Sequence, residues 1–221
     1  MMIRNRGYDV VFFDLDGTIT DSQPGIVNSI LYALESLNIY EEDLDKLNAF
    51  IGPPLTDSFK KIYGFDDDRA ILAVEKYREY YREKGIYQNT LYDGIDHVIE
   101  SLYNDSKILV LVTSKPTVFA KKVLEYHNIS QFFKNINGSN LDGTRVHKDE
   151  VIEYTLGNMG SVDKTQIIMI GDRKYDIIGA KQHNVDSIGV LYGYGSLHEI
   201  KSAGPTYTVQ TPRDLLPIIS K

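Results

Sequence analysis

The stretch "VVFFDLDGTIT", Val10 to Thr20, sets four apolar residues directly before two carboxylates, Asp14 and Asp16, and places a Gly-Thr step behind them. A short, continuous apolar run of this kind reads as a strand buried on both faces, as in a parallel sheet. Why such a strand should end by delivering two like charges needs a reason, because neighbouring carboxylates repel unless something positive lies between them.

Two further runs share that character, "KILVLVT" at 107–113 and "QIIMIG" at 166–171, while "DSIGVLY" at 186–192 and "TYTVQ" at 206–210 are weaker strand candidates. Segments of helical period separate them: Ile95, Val98, Ile99 and Leu102; Val118, Ala120, Val123 and Leu124; Val151, Ile152, Thr155, Leu156 and Met159. From about residue 92 the chain therefore alternates helix and strand, the pattern of an α/β fold with a doubly wound parallel sheet. Residues 22–90 break that alternation and show no convincing strand. Ile26, Ile30, Leu31, Leu34 and Leu37 form a helical face, and Asp66 to Gly85 reads as a long helix with an acidic start and a glycine stop. The expected organisation is an α/β core of residues 1–21 and 91–221 carrying an all-helical insert at 22–90.

Composition narrows the function classes. The chain has 221 residues, 42% hydrophobic and 25% charged, and no apolar run approaches the roughly 20 residues of a membrane-spanning helix. The early apolar run is too short for a signal-peptide core, so no membrane association and a cytoplasmic location are expected. Cysteine is absent, which removes disulfides, zinc-thiolate sites and cysteine nucleophiles. A formal net charge of -7 argues against a nucleic-acid polymer as partner, since phosphate neutralisation needs a basic stripe.

In an open parallel sheet, ligands bind beyond the carboxyl ends of the strands. Three runs end there in polar chemistry: Asp14 and Asp16, Thr113 and Ser114, and Asp172 followed by Asp176. Several carboxylates converging on one rim predict a bound cation, and oxygen ligands without cysteine point to Mg²⁺. Beside a cation, one carboxylate can act as a nucleophile towards phosphorus. Taken singly, Asp16-Gly17 reads as a turn, Asp172 as a helix cap and Lys148 as a surface lysine; their joint order and placement favour the site reading.

"DLDGT", Thr113 at the end of "ILVLVT", Lys148 in "RVHKDE" and "IIMIGDRKYD" occur in the order of the haloacid dehalogenase superfamily's signatures, which the chain resembles over nearly its whole length. The resemblance implies a Rossmann-like core with a small helical cap at 22–90. It implies a phosphatase in which Asp14 attacks the phosphoryl group to form an aspartyl-phosphate and Asp16 serves as general acid and base. Thr113 and the backbone of Ser114 would bind phosphoryl oxygens, with Gly17, Thr18, Lys115 and Arg173 also on the phosphate-binding side. Lys148 would stabilise the nucleophile and the transferring group. Asp14, the carbonyl of Asp16, and Asp172 would hold Mg²⁺, supported by Asp176. Two positions depart from the common pattern: Asp149 stands where many relatives have proline, and Ser114 where many have asparagine.

Within the insert, "FIGPPL" at 50–55 is a turn between helices whose Gly52 and Pro53 either shape the substrate pocket or simply connect. The tyrosines at 77, 80, 81 and 87 read as helix surface, and "GYGS" at 193–196 as a loop lacking a dinucleotide fingerprint. "GPPLTDSF", "TSKP", "GDRKYDIIGA" and "GVLYGYGS" are similar to the phosphoglycolate phosphatase-like branch, and to its 5'-nucleotidase-like group in particular. The expected partner is a small phosphorylated metabolite, a nucleoside 5'-monophosphate first and phosphoglycolate second, acted on by a monomer or weak homodimer. A sugar-phosphate mutase and a non-catalytic binding module are the rival classes.

Overall fold

The computed structural model describes residues 7–220. In chain order, β1 (Val10–Phe13) and β2 (Thr20–Asp21) precede four helices, α1 (Gln23–Ser36), α2 (Leu44–Asn48), α3 (Leu55–Tyr63) and α4 (Asp67–Glu83). β3 (Thr90–Leu91) leads into α5 (Ile95–Asn104), β4 (Ile108–Pro116), α6 (Thr117–Tyr126), β5 (Phe133–Ser139) and α7 (Lys148–Asn158). β6 (Ile167–Gly171), α8 (Lys174–Gln182), β7 (Asp186–Val190), α9 (Leu197–Ala203), β8 (Tyr207–Val209) and α10 (Leu216–Ile219) complete the order. The chain divides into two compact units, one of residues 1–20 with 91–221 and one of residues 21–90.

The first unit is built on a six-stranded sheet in the order β5-β4-β1-β6-β7-β8, with every adjacent pair parallel. β1 is the central strand, with Phe12 opposite Val110 on one side and Met169 on the other. Its four residues are all buried, which explains the unbroken apolar run: in a sheet covered on both faces, alternation with polar residues has no solvent face to serve. Val10 and Phe12 join Val110, Val112, Val151, Ile152, Ile167, Met169 and Ala180 in one core cluster. Burying each such side chain stabilises the fold by about 1.5–3 kcal/mol relative to exposure. Strand order reverses at β1, the kind of position where open α/β sheets collect ligands.

β5 was not among the expected strands. Its sequence, "FKNINGS", is polar and glycine-bearing because it lies at the sheet edge, where fewer side chains face a core. Gly138 permits the close approach to β4: a Cβ there would collide with the Lys115 carbonyl.

The regular structure of the second unit, residues 21–90, is helical apart from the strand residues Asp21 and Thr90, the latter where no strand was expected. α1 buries Ile26, Ile30 and Leu34 as the helical period requires, with Leu31 and Leu37 only partly covered. Asp66 caps α4 by accepting the Arg69 N–H at 2.9 Å. The glycine stop expected at Gly85 is a different device. α4 ends at Glu83 with Lys84 as its C-cap, and Gly85 lies against Gly25 so closely that a Cβ on Gly25 would collide with the Gly85 carbonyl. Phe50, Phe59 and Phe65 form an aromatic core, with Phe59 stacked on Phe65 at 5.8 Å. Gly52 and Pro53 lie in the connector between α2 and α3, Gly52 at φ 109, a backbone conformation that favours glycine. Tyr77 and Tyr81 are buried and stacked at 5.4 Å, so they are core and not helix surface; Tyr87 is exposed. No helix among the described residues is long and apolar enough to cross a membrane.

Candidate active site

The carboxyl ends of β1, β4 and β6 bring Asp14, Thr113 and Asp172 to one edge of the sheet, and the first turns of α7 and α8 add Lys148 and Asp176. Carboxylate oxygens of Asp14, Asp172 and Asp176 lie within 4.8 Å of one another, and all three residues are buried. Lys148 Nζ stands 2.7 Å from Asp14 Oδ1 and 2.8 Å from Asp176 Oδ1, and donates to the Val112 carbonyl at 3.1 Å. The two carboxylate contacts are close ion pairs.

One ammonium group thus pairs with two carboxylates of a buried cluster of three. Burial pushes the Asp14 carboxyl up to about 6; Lys148 opposes that, while the charges of Asp176 and Asp16 add to it. Asp172 is pushed well above the usual carboxylate range, first by burial and then by Asp176 and Asp14, against a lowering contribution from the Tyr194 N–H. Burial alone would lower the Lys148 ammonium, but the carboxylates of Asp14 and Asp176 outweigh it and hold the group raised. Asp172 Oδ1 is fully buried with no partner. An all-oxygen donor set with an orphaned carboxylate oxygen and surplus negative charge fits a hard divalent cation such as Mg²⁺.

The pocket of Asp172 is walled by glycines. A Cβ at Gly17, at φ 84, would collide with Asp172 Oδ2; at Gly193 it would meet Asp172 Cβ and the Gly17 carbonyl; at Gly195 it would meet the Asp172 carbonyl. The Tyr194 N–H donates to Asp172 Oδ2 at 2.7 Å, and the Tyr192 hydroxyl donates to the Thr18 carbonyl at 3.0 Å. The loop after β7 therefore clamps the β1 loop to the β6 end. Read from sequence, "GYGS" was an unremarkable loop; its Gly-Tyr-Gly spacing was the available signal for residues 193–195.

The other expected residues divide. Asp16 does not join the carboxylate cluster: its side chain receives Lys115 Nζ at 2.6 Å on both oxygens. Lys115, expected on the phosphate side, is accordingly committed to Asp16, with the side chains 5% and 14% exposed. Thr113 Oγ1 accepts the Lys115 N–H at 3.2 Å, which leaves its own hydroxyl proton able to point elsewhere. Thr18 Oγ1 is buried and unpartnered, and Ser114 is half-buried. Arg173 is turned to Glu199, whose Oε1 accepts from Nε at 2.9 Å, so its guanidinium is paired on the α8–α9 side. Asp176 Oδ2 accepts the Arg173 N–H at 3.0 Å, which orients the carboxylate whose other oxygen faces Lys148. Gly52 and Pro53 belong to the other unit.

Residues 11–190 match the family model described as haloacid dehalogenase-like hydrolase. Among curated proteins, the chain is 45% identical to a 5'-nucleotidase of Pseudomonas aeruginosa over 200 residues, covering 90% of each. It is 33% identical to the tyrosine-protein kinase PtkA of Mycobacterium tuberculosis, covering 89% of this chain and 67% of that one. Among solved structures, a predicted phosphatase from Clostridium acetobutylicum superposes with a TM-score of 0.91 at 46% identity, covering 95% of this chain and 97% of the other.

Proposed function

This chain belongs to the haloacid dehalogenase-like hydrolases, and from that we propose that it is a Mg²⁺-dependent phosphatase of small phosphomonoesters working through Asp14. The carrying observation is the pairing of Asp14 with Lys148 beside Asp172 and Asp176, two residues from a second carboxylate held apart from that cluster. Asp14, Asp172 and Asp176 would hold Mg²⁺, which when bound supplies positive charge that offsets the repulsion between the carboxylates and the phosphoryl oxygens.

In the first half-reaction an Asp14 oxygen bonds to phosphorus as the ester P–O bond breaks, and Asp16 gives its proton to the departing oxygen. In the second, Asp16 takes a proton from water as the water oxygen attacks phosphorus, releasing phosphate and restoring Asp14. Lys148, the Thr113 hydroxyl and the Ser114 N–H stabilise phosphoryl oxygens.

The substrate reading is a nucleoside 5'-monophosphate, supported by the identity to the 5'-nucleotidase across nine-tenths of both chains. Phosphoglycolate, from the motif resemblance, is the alternative. The test is phosphate release from nucleotides, phosphoglycolate, sugar phosphates and a phosphotyrosine peptide, with Mg²⁺ or EDTA, by wild type and Asp14→Asn. Metal-dependent release that vanishes in the variant, with highest kcat/KM on nucleoside monophosphates, is the expected result. No release from any compound refutes the reading.

A further inference from the structure

The site holds two separate carboxylate–ammonium pairs. Lys148 serves Asp14 and Asp176, and Lys115 grips Asp16 with Nζ 2.6 Å from both oxygens. The second pair is built with equal care. Lys115 is anchored at the end of β4 by its N–H on Thr113 Oγ1, and its carbonyl sits where only a glycine at position 138 leaves room. From that fixed backbone the ammonium reaches across to the β1 loop.

We infer that Lys115 is a positioning residue that sets the direction of the Asp16 carboxylate, and is not a phosphate ligand. The inference rests on the phosphatase reading, in which Asp16 exchanges the proton of the leaving oxygen. An aspartate has two rotatable side-chain bonds, and this one follows a loop whose next residue, Gly17, is at φ 84. In the acid form one Asp16 oxygen carries the proton and the other keeps Lys115; that proton must lie within hydrogen-bond reach of the leaving oxygen, so the direction of the group matters as much as its presence. The two-oxygen grip of Lys115 determines that direction and keeps Asp16 away from Asp14, Asp172 and Asp176. It also ties two strands' catalytic loops together, since Thr113 and Asp16 are joined through a single residue.

The test compares wild type, Lys115→Met and Lys115→Arg on 4-nitrophenyl phosphate, whose leaving group needs little protonation, and glycerol 2-phosphate, whose alkoxide needs it. Crystal structures of the three proteins accompany the kinetics. Lys115→Met is expected to lower kcat on the alkyl ester by about 10²-fold, the usual scale for a displaced general acid, and on the aryl ester by only about threefold. KM should hold within about twofold, Lys115→Arg should recover most of the loss, and Asp16 should adopt a new side-chain direction in Lys115→Met. Equal losses on both esters with a raised KM would make Lys115 a phosphate ligand and overturn the inference. So would an unmoved Asp16 in Lys115→Met. Should wild type hydrolyse neither ester, the phosphatase reading falls by itself, and the direction of Asp16 with and without the lysine still decides the positioning role. If Lys115→Met does not fold, Lys115→Gln takes its place in both measurements.

Discussion

Lys148 Nζ lies 2.7 Å from Asp14 Oδ1, although one residue closes β1 and the other opens α7. This ammonium group also meets Asp176, so it is the shared counter-charge for a buried acidic cluster. Removing it strands those carboxylates. Lys148→Met should lower phosphatase turnover by about 10³-fold or more and cost roughly 3–5 kcal/mol of stability without added metal. Urea unfolding alongside phosphate release checks both, and wild-type stability in the variant would contradict the shared-counter-charge role.

Divalent metal should stabilise the fold through the same cluster. At a Mg²⁺ concentration about 100 times its Kd, linkage gives about 2.7 kcal/mol, or roughly 5–10 °C in Tm for a chain of this size. Asp172→Asn should lose most of that increase. Differential scanning fluorimetry with Mg²⁺ or EDTA reads the outcome without any assay of turnover.

The glycine walls around Asp172 make a sharper prediction. Gly193→Ala places a methyl group against Asp172 Cβ and the Gly17 carbonyl, so close that the Asp172 side chain or the β1 loop must shift. Mg²⁺ affinity and kcat should each fall by about tenfold or more, the scale seen when groups that orient metal ligands are lost. Gly143→Ala, with nothing near its side-chain position but φ 87, is the control: it should cost about 1 kcal/mol of stability and leave metal affinity unchanged. Calorimetric Mg²⁺ titration of the two variants separates the effects.

Stability should carry a pH dependence from His127, at the end of α6, whose ring burial lowers its pKa below 6.5. The unfolded chain then binds a proton that the folded chain resists. Stability is therefore full above the unfolded value and declines as pH falls through 6.5 towards the folded one. His127→Gln should flatten the difference in urea midpoint between pH 7.5 and pH 5.5. An unchanged difference would assign the pH response to other groups.

Tyr192 tests the clamp between the β7 loop and the β1 loop. Tyr192→Phe removes the hydrogen bond to the Thr18 carbonyl while keeping the ring contact to Tyr92 at 4.9 Å. A loss of about 0.5–1.5 kcal/mol is expected, with the β1 loop freer in hydrogen exchange.

What could be read from the string was whatever repeats along it or follows a strand. β1, β4 and β6 announced themselves because burial on both faces removes polar residues. Asp14 and Asp172 were legible as polar residues at the ends of such runs, whereas Lys148 was legible only through its place in the family's order of signatures. β5 escaped because an edge strand tolerates lysine, asparagine and glycine. The partners escaped for another reason. Nothing local in "TSKP" says that Lys115 will meet Asp16, and nothing in "GYGS" says that its glycines will line an aspartate, since both depend on which loops the strand order makes neighbours. Arg173 looked phosphate-directed because its acidic partner, Glu199, lies on a different helix.

The central place of β1 has a consequence for synthesis. Both strands that flank it lie later in the chain, and the nearer in sequence, β4, begins only at Ile108. At about 5–20 residues per second, "VVFF" leaves the ribosome on the order of 5–20 s before its first sheet neighbour exists. During that interval the apolar strand is exposed to aggregation, held in check only by whatever transient contacts the emerging chain can make.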